Sequence, residues 1–139
     1  MITKKVLDPN RIRRIKGGFS FIPHRFLMDG FLDTLSQKEI LLYVFLILAS
    51  DRYGLSFYAY DAICSFIQVA VDEYIEARDG LIKKDLIAFD GTIFQVLDLP
   101  ESPVKVYPEE PFLHSNRAEK RSQIATLIQQ SLWEAEGGQ

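Results

Sequence analysis

The sequence predicts a mainly α fold with a small β-hairpin, set between a basic N-terminal arm and a separate C-terminal helix. Three stretches carry the prediction. Asp90-Gly91 lies between two β-rich runs, Leu86-Ile87-Ala88-Phe89 and Thr92-Ile93-Phe94-Gln95-Val96-Leu97. Residues able to hold φ > 0 close a two-residue type I′ hairpin turn there. Ser36-Gln37-Lys38-Glu39 is a capping-box pattern just ahead of the apolar run Ile40 to Ala49. Helices from about Tyr60 and over 72–84, separated by the turn Gln68-Val69-Ala70, complete the plan. Residues 54–97 therefore read as short strand, helix, tight turn, helix, hairpin.

The chain of 139 residues is the size of one domain with tails, and its 47% apolar content is enough to fill a core. Four parts are expected: a basic arm over 1–22, a folded domain over 23–99, a proline-rich linker over 100–114 and a C-terminal helix over 115–136. Met1-Ile2-Thr3-Lys4-Lys5 leads into no apolar run, so no signal peptide is expected. The apolar run from Ile40 to Ala49 is about half the ~20 residues that span a bilayer. No membrane partner follows. A single cysteine, Cys64, allows no intrachain disulfide and fits a reducing cytoplasm. It reads as a small buried residue, not a reactive thiol.

Net charge is −3 but lopsided: residues 1–25 carry +6 and residues 26–139 carry −9. Such an arm meets a polyanion or folds back onto the acidic body; both exploit the same asymmetry.

In order along the chain, Asp8-Pro9-Asn10 is a turn within an extended arm. Phe19 and Phe21 anchor the arm's end to the body. Pro23 suits a first helical position, and Leu27, Met28, Phe31, Leu32 and Leu35 lie on one face of a helix over 24–35 that contains Gly30. The capped helix that follows runs to about Asp51. Its middle is apolar on every side, so it should be the most buried element, covered all round. Gly54 caps its end, and Leu55-Ser56-Phe57 is a short strand that joins the hairpin. The next helix buries Ile63, Cys64, Phe66 and Ile67. The helix over 72–84 buries Ile75, Ala77 or the Arg78 stem, Leu81 and Ile82; Asp72, Glu73, Glu76 and Asp79 come early and Lys83 and Lys84 late, which complements the helix dipole. Pro100, Pro103, Pro108 and Pro111 then mark the extended linker. In the last helix Ile124, Leu127, Ile128, Leu132 and Trp133 are too apolar to stand freely in water, so the helix is expected to pack on its own domain or on a second copy of the chain, with a homodimer or another protein as the preferred partner.

Catalytic, cofactor and metal residues are not expected. His24 and His114 are ninety residues apart, without a second histidine or cysteine at ligand spacing. Phosphate-cradling glycine motifs and Gly-x-Ser-x-Gly are missing. An enzyme acting on a small molecule is the least supported reading.

The capped central helix, Leu81 followed by Lys84-Asp85-Leu86-Ile87, and Asp90-Gly91 together resemble the winged helix-turn-helix superfamily of bacterial regulators and replication or mobile-element proteins. The resemblance covers residues 36–97. The superfamily's recognition helix typically ends Leu-x-x-x-Gly-Leu-Ile, and here Asp85 stands in the glycine's place. Gly54-Leu55-Ser56-Phe57-Tyr58 with Phe94-Gln95-Val96-Leu97 also resembles helix-turn-helix proteins carried near bacterial transposable elements. The resemblance implies a 72–84 helix in the DNA major groove and a wing beside the backbone, with Arg78, Lys83 and Lys84 as contacts. Two departures stand against it. That helix exposes four acids, and the wing tip carries no cation. The arm's Arg11, Arg13, Arg14 and Lys16 are then the expected phosphate contacts. The expected function is a non-enzymatic, DNA-associated module, a transcription regulator or a replication or transposition accessory. The alternative is the same fold used for protein–protein assembly without direct DNA binding.

Overall fold

The computed structural model describes the backbone of residues 2–104 and 111–137, and the side chains of 2–104 and 117–132. The protein is mainly helical with one small antiparallel sheet. Its elements are α1 (Arg25–Met28), α2 (Gln37–Ala49), β1 (Leu55–Ser56), α3 (Tyr60–Ile67), α4 (Val71–Lys83), β2 (Ile87–Phe89), β3 (Phe94–Val96) and α5 (Pro111–Gly137).

The capping box forms as its residues predict. Ser36 Oγ accepts from the Glu39 N–H at 3.2 Å, and the Glu39 carboxylate accepts from the Ser36 N–H at 2.8 Å. The reciprocal pair satisfies two backbone donors that the first turn leaves open. The helix it starts sends Leu42, Tyr43, Leu46 and Ile47 into a core shared with Phe26, Phe31, Ile63, Leu81, Ile87 and Phe94.

Coverage of α2 is not complete, contrary to expectation. Leu41, Val44 and Leu48 recur at three and four residues on its outer face and stay exposed, Leu48 at 70%. Helices α3 and α4, the sheet and Phe26 cover the other faces of α2, and among the described residues nothing covers this one.

The helix expected over 24–35 breaks in two. Gly30 takes φ +91, α1 ends at Met28, and a 3₁₀ turn covers Leu32–Thr34. A left-handed residue cannot continue a right-handed helix, so apolar spacing persists across the break while the helix does not.

The strand order is β1-β3-β2, all antiparallel, with Leu55 opposite Gln95 and Phe89 opposite Phe94. Gly54 sets up the first strand: its φ is +83, and a Cβ there would meet the Val96 carbonyl oxygen at 2.5 Å. The hairpin turn differs from the type I′ expectation. Asp90 N–H donates to the Ile93 carbonyl at 3.2 Å, so Gly91 and Thr92 are the central residues, and only Gly91 has positive φ. The Asp90 carboxylate accepts from the Ile93 and Thr92 N–H groups at 2.6 and 2.8 Å. This side-chain bonding, which holds the Asp90 carboxyl below its usual range, chooses the turn centred one residue later.

Helices α3 and α4 bury Ile63, Ala77 and Leu81 as expected, with Cys64 and Ile67 packed against the core, but three expected positions stay outside it. Tyr74, Ala77 and Leu81 are buried, while Ile75 and Ile82 are exposed; in α3 Ile63 is buried and Phe66 exposed. Phe66 instead stacks on Phe45 at 5.7 Å between ring centres. At the end of α4, Asp85 takes φ +62. Leu86 N–H donates to the Leu81 carbonyl and Asp85 N–H to the Ile82 carbonyl, both at 3.1 Å. That is a Schellman ending with Leu81 and Leu86 as its buried apolar pair, and Asp85 occupies the position that favours glycine.

Candidate nucleic-acid interface

A surface for a polyanion needs cations that are exposed and not neutralised by neighbours. Residues 2–19 provide them. Asp8-Pro9-Asn10 turns as expected: the Asp8 carboxylate accepts from the Asn10 N–H at 3.1 Å, and Pro9–Arg11 form a 3₁₀ turn. Every residue from Ile2 to Phe19 is exposed. Arg11, Arg13, Arg14 and Lys16 pair with no acid among the described residues. The arm touches the body at its start, where Lys4 Nζ donates to Ser131 Oγ of α5 at 2.7 Å. Phe19 and Phe21 do not bury as anchors; they line an open cleft of about 640 Å³ with Tyr43, Tyr53 and Leu99. The next hold on the chain is Arg25, which donates to the Leu99 and Pro100 carbonyls at 3.4 and 2.8 Å.

The outward face of α4 is acidic. Asp72, Glu76 and Asp79 are exposed, and Glu73 accepts from the Ala70 N–H at 2.9 Å while pairing with Lys38. The three cations assigned to this region separate. Lys83 is exposed in the last turn. Arg78 is half-buried: Nε and Nη2 donate to Asp79 Oδ1 at 3.2 and 3.1 Å, and the guanidinium lies 5.2 Å from the Phe89 ring centre and 5.7 Å from that of Tyr74. Burial pushes the Tyr74 hydroxyl up, against the pull of this cation. A guanidinium stacked and paired in this way is not presented to a base edge.

Lys84 is not a surface contact. Its Nζ donates to Glu39 Oε1 at 2.6 Å and to the Thr34 carbonyl, and only 8% of the residue is exposed. Lys84 lies three residues after Leu81 and continues the buried line of Tyr74, Ala77 and Leu81, which carries it against Glu39 of α2.

Sequence reasoning passed over the groove beside Arg78. Phe57, Tyr58, Tyr60, Tyr74 and Phe89 line a hollow of about 630 Å³ between α4 and the hairpin. The dense aromatic run Phe57-Tyr58-Ala59-Tyr60 was its available signal.

Helix α5 is seated through charge. Arg117 donates to the Asp33 carbonyl at 2.9 Å, and Arg121 pairs with the buried Asp33 carboxylate. Of the expected partner-binding residues, Ile124, Leu127 and Leu132 are exposed at 41%, 61% and 46%, and Ile128 is half-buried. The Trp133 side chain lies outside the described residues. Among those residues no group of acids, histidines and cysteines could hold a metal ion, and no helix is long and apolar enough to cross a membrane. No protein-family model, curated protein or solved structure matches this chain.

Proposed function

We propose that this chain is a non-enzymatic winged-helix module that associates with duplex DNA through its basic arm, as a transcription regulator or an accessory of replication or transposition. The observation that carries the reading is the arm itself. Arg11, Arg13, Arg14 and Lys16 stand exposed within six residues, beside a body whose α4 face is acidic. The order α2-β1-α3-α4-β2-β3, with β1 joining the hairpin through β3, supports the winged-helix assignment. Because α4 offers acids and a sequestered Arg78, the binding is driven by phosphates and carries little base readout.

Four phosphate contacts give a slope of log affinity against log salt of roughly −3 to −4. Titration of duplex DNA at two salt concentrations measures it. Changing Arg11, Arg13 and Arg14 together to alanine should abolish binding; a triple variant that binds like the parent removes the arm from the interface. A parent that binds no duplex at low salt favours the second reading, protein–protein assembly, which draws on the exposed Leu41, Val44 and Leu48 of α2.

A further inference from the structure

Helix α5 has two apolar seams. Ala118, Arg121, Ala125 and Ile128 are half-buried, recur at three and four residues, and follow the side that Asp33 holds through Arg117 and Arg121. Ile124 and Leu127 lie on an adjacent side and remain exposed after that docking; Leu132, four residues beyond Ile128, continues the docked line. The helix is therefore fixed by its own domain while a second stripe faces water.

The residues around that stripe restrict what can cover it. Between Arg121 and Glu134 no residue is charged; Gln123, Thr126, Gln129, Gln130 and Ser131 flank the apolar positions. Twelve helical residues give about 18 Å of neutral surface. Arg117 and Arg121 are engaged by Asp33, so on the exposed side the stripe is preceded by Lys120 and followed, at the same helical spacing, by Glu134. A helix basic at one end, neutral and apolar in the middle and acidic at the other is complementary to itself turned round. Parallel pairing would place like charges together, and the neutral middle carries no charge pattern that selects a different protein.

We propose that the Ile124/Leu127 stripe of α5 docks against the same stripe of a second copy, antiparallel, about a two-fold axis near Leu127. Such an interface is isologous, so the assembly closes at two chains. With a single short stripe it falls among the smaller interfaces and forms a concentration-dependent dimer. This goes beyond the DNA reading and does not depend on it.

Sedimentation of the full chain across micromolar concentrations should show a shift from the 16.0 kDa chain mass to twice that value. Leu127→Asp should weaken self-association on the order of a hundredfold, because each copy would bury an unpaired carboxylate. Its fold is retained because the site is exposed, which an unchanged thermal melt verifies. In a Cys64→Ser background, Leu127→Cys should form an interchain disulfide under mild oxidation. Lys120→Cys should not, since antiparallel pairing separates the two copies of that position by about 20 Å. A parent that stays monomeric at 100 µM (a concentration chosen to exceed weak-dimer range, on the order of 10⁻⁴ M), a mass that grows past two chains, or equal cross-linking at both positions overturns the proposal. The Arg11, Arg13 and Arg14 triple variant should dimerise like the parent, which separates this test from that of DNA binding.

Discussion

Glu39 and Lys84 meet across α2 and α4 at 2.6 Å, both almost wholly out of water. The same carboxylate caps α2, so one side chain joins a helix start to the end of another helix. An ion pair in such a place contributes little beyond an apolar pair of equal size, but breaking it leaves a charge stranded. We expect Lys84→Met to cost about 3–5 kcal/mol in urea denaturation, with Glu39→Gln in the same background recovering part of the loss. Equal destabilisation in the single and double variants would show that the charge is not the reason.

Gly80 makes room for that carboxylate: a Cβ at this position would overlap Glu39 Oε2. In an open helix Gly→Ala stabilises by about 1 kcal/mol. Here the sign should reverse, because Glu39 is held by both Ser36 and Lys84 and cannot withdraw freely. Gly80→Ala is expected to lower the melting temperature in the parent and to raise it when Glu39 is already alanine. The same sign in both backgrounds would contradict the steric account.

Asp85 holds a left-handed conformation without being glycine. Aspartate tolerates that region better than most residues, yet still less well than glycine. Asp85→Gly should stabilise the chain by roughly 0.5–1 kcal/mol, read as a higher denaturation midpoint with unchanged slope. A loss of stability would mean the aspartate side chain supports the turn.

Burial pushes the Tyr43 hydroxyl up to about 12. An unfolded tyrosine titrates near 10, so between those values the unfolded chain releases a proton that the folded chain retains. Stability that is complete below pH 10 is therefore lost as pH rises toward 12. Urea melts at pH 9 and 11 should show the parent losing about 1 kcal/mol more than Tyr43→Phe. Identical alkaline losses would assign the effect to other groups.

The acidic face of α4 gives a prediction for binding. Glu76 is exposed and makes no hydrogen bond among the described residues. If the arm alone meets phosphates, Glu76→Ala should leave duplex affinity unchanged or raise it. A marked fall would bring α4 into the interface.

Local chemistry was legible in the sequence. The capping box at Ser36 and Glu39, the strand at Leu55 and the helix from Tyr60 all depend on neighbours within a few residues. The arm's charge was legible in the same way, but its full exposure was not, since Ile12, Ile15 and Phe19 could have folded back onto the body. The spacing located Ile63, Ala77 and Leu81 in the core, while tertiary packing decided the margins of each buried face: Tyr74 and not Ile75, Phe66 left outside, and a water-facing side on α2. Packing also decided the fate of Lys84, which local charge placement assigned to the surface and the buried line of Tyr74, Ala77 and Leu81 carries beside Glu39. Spacing sets which residues share a side of a helix, but rotation about the helix axis is fixed only by the neighbours that arrive from elsewhere in the chain.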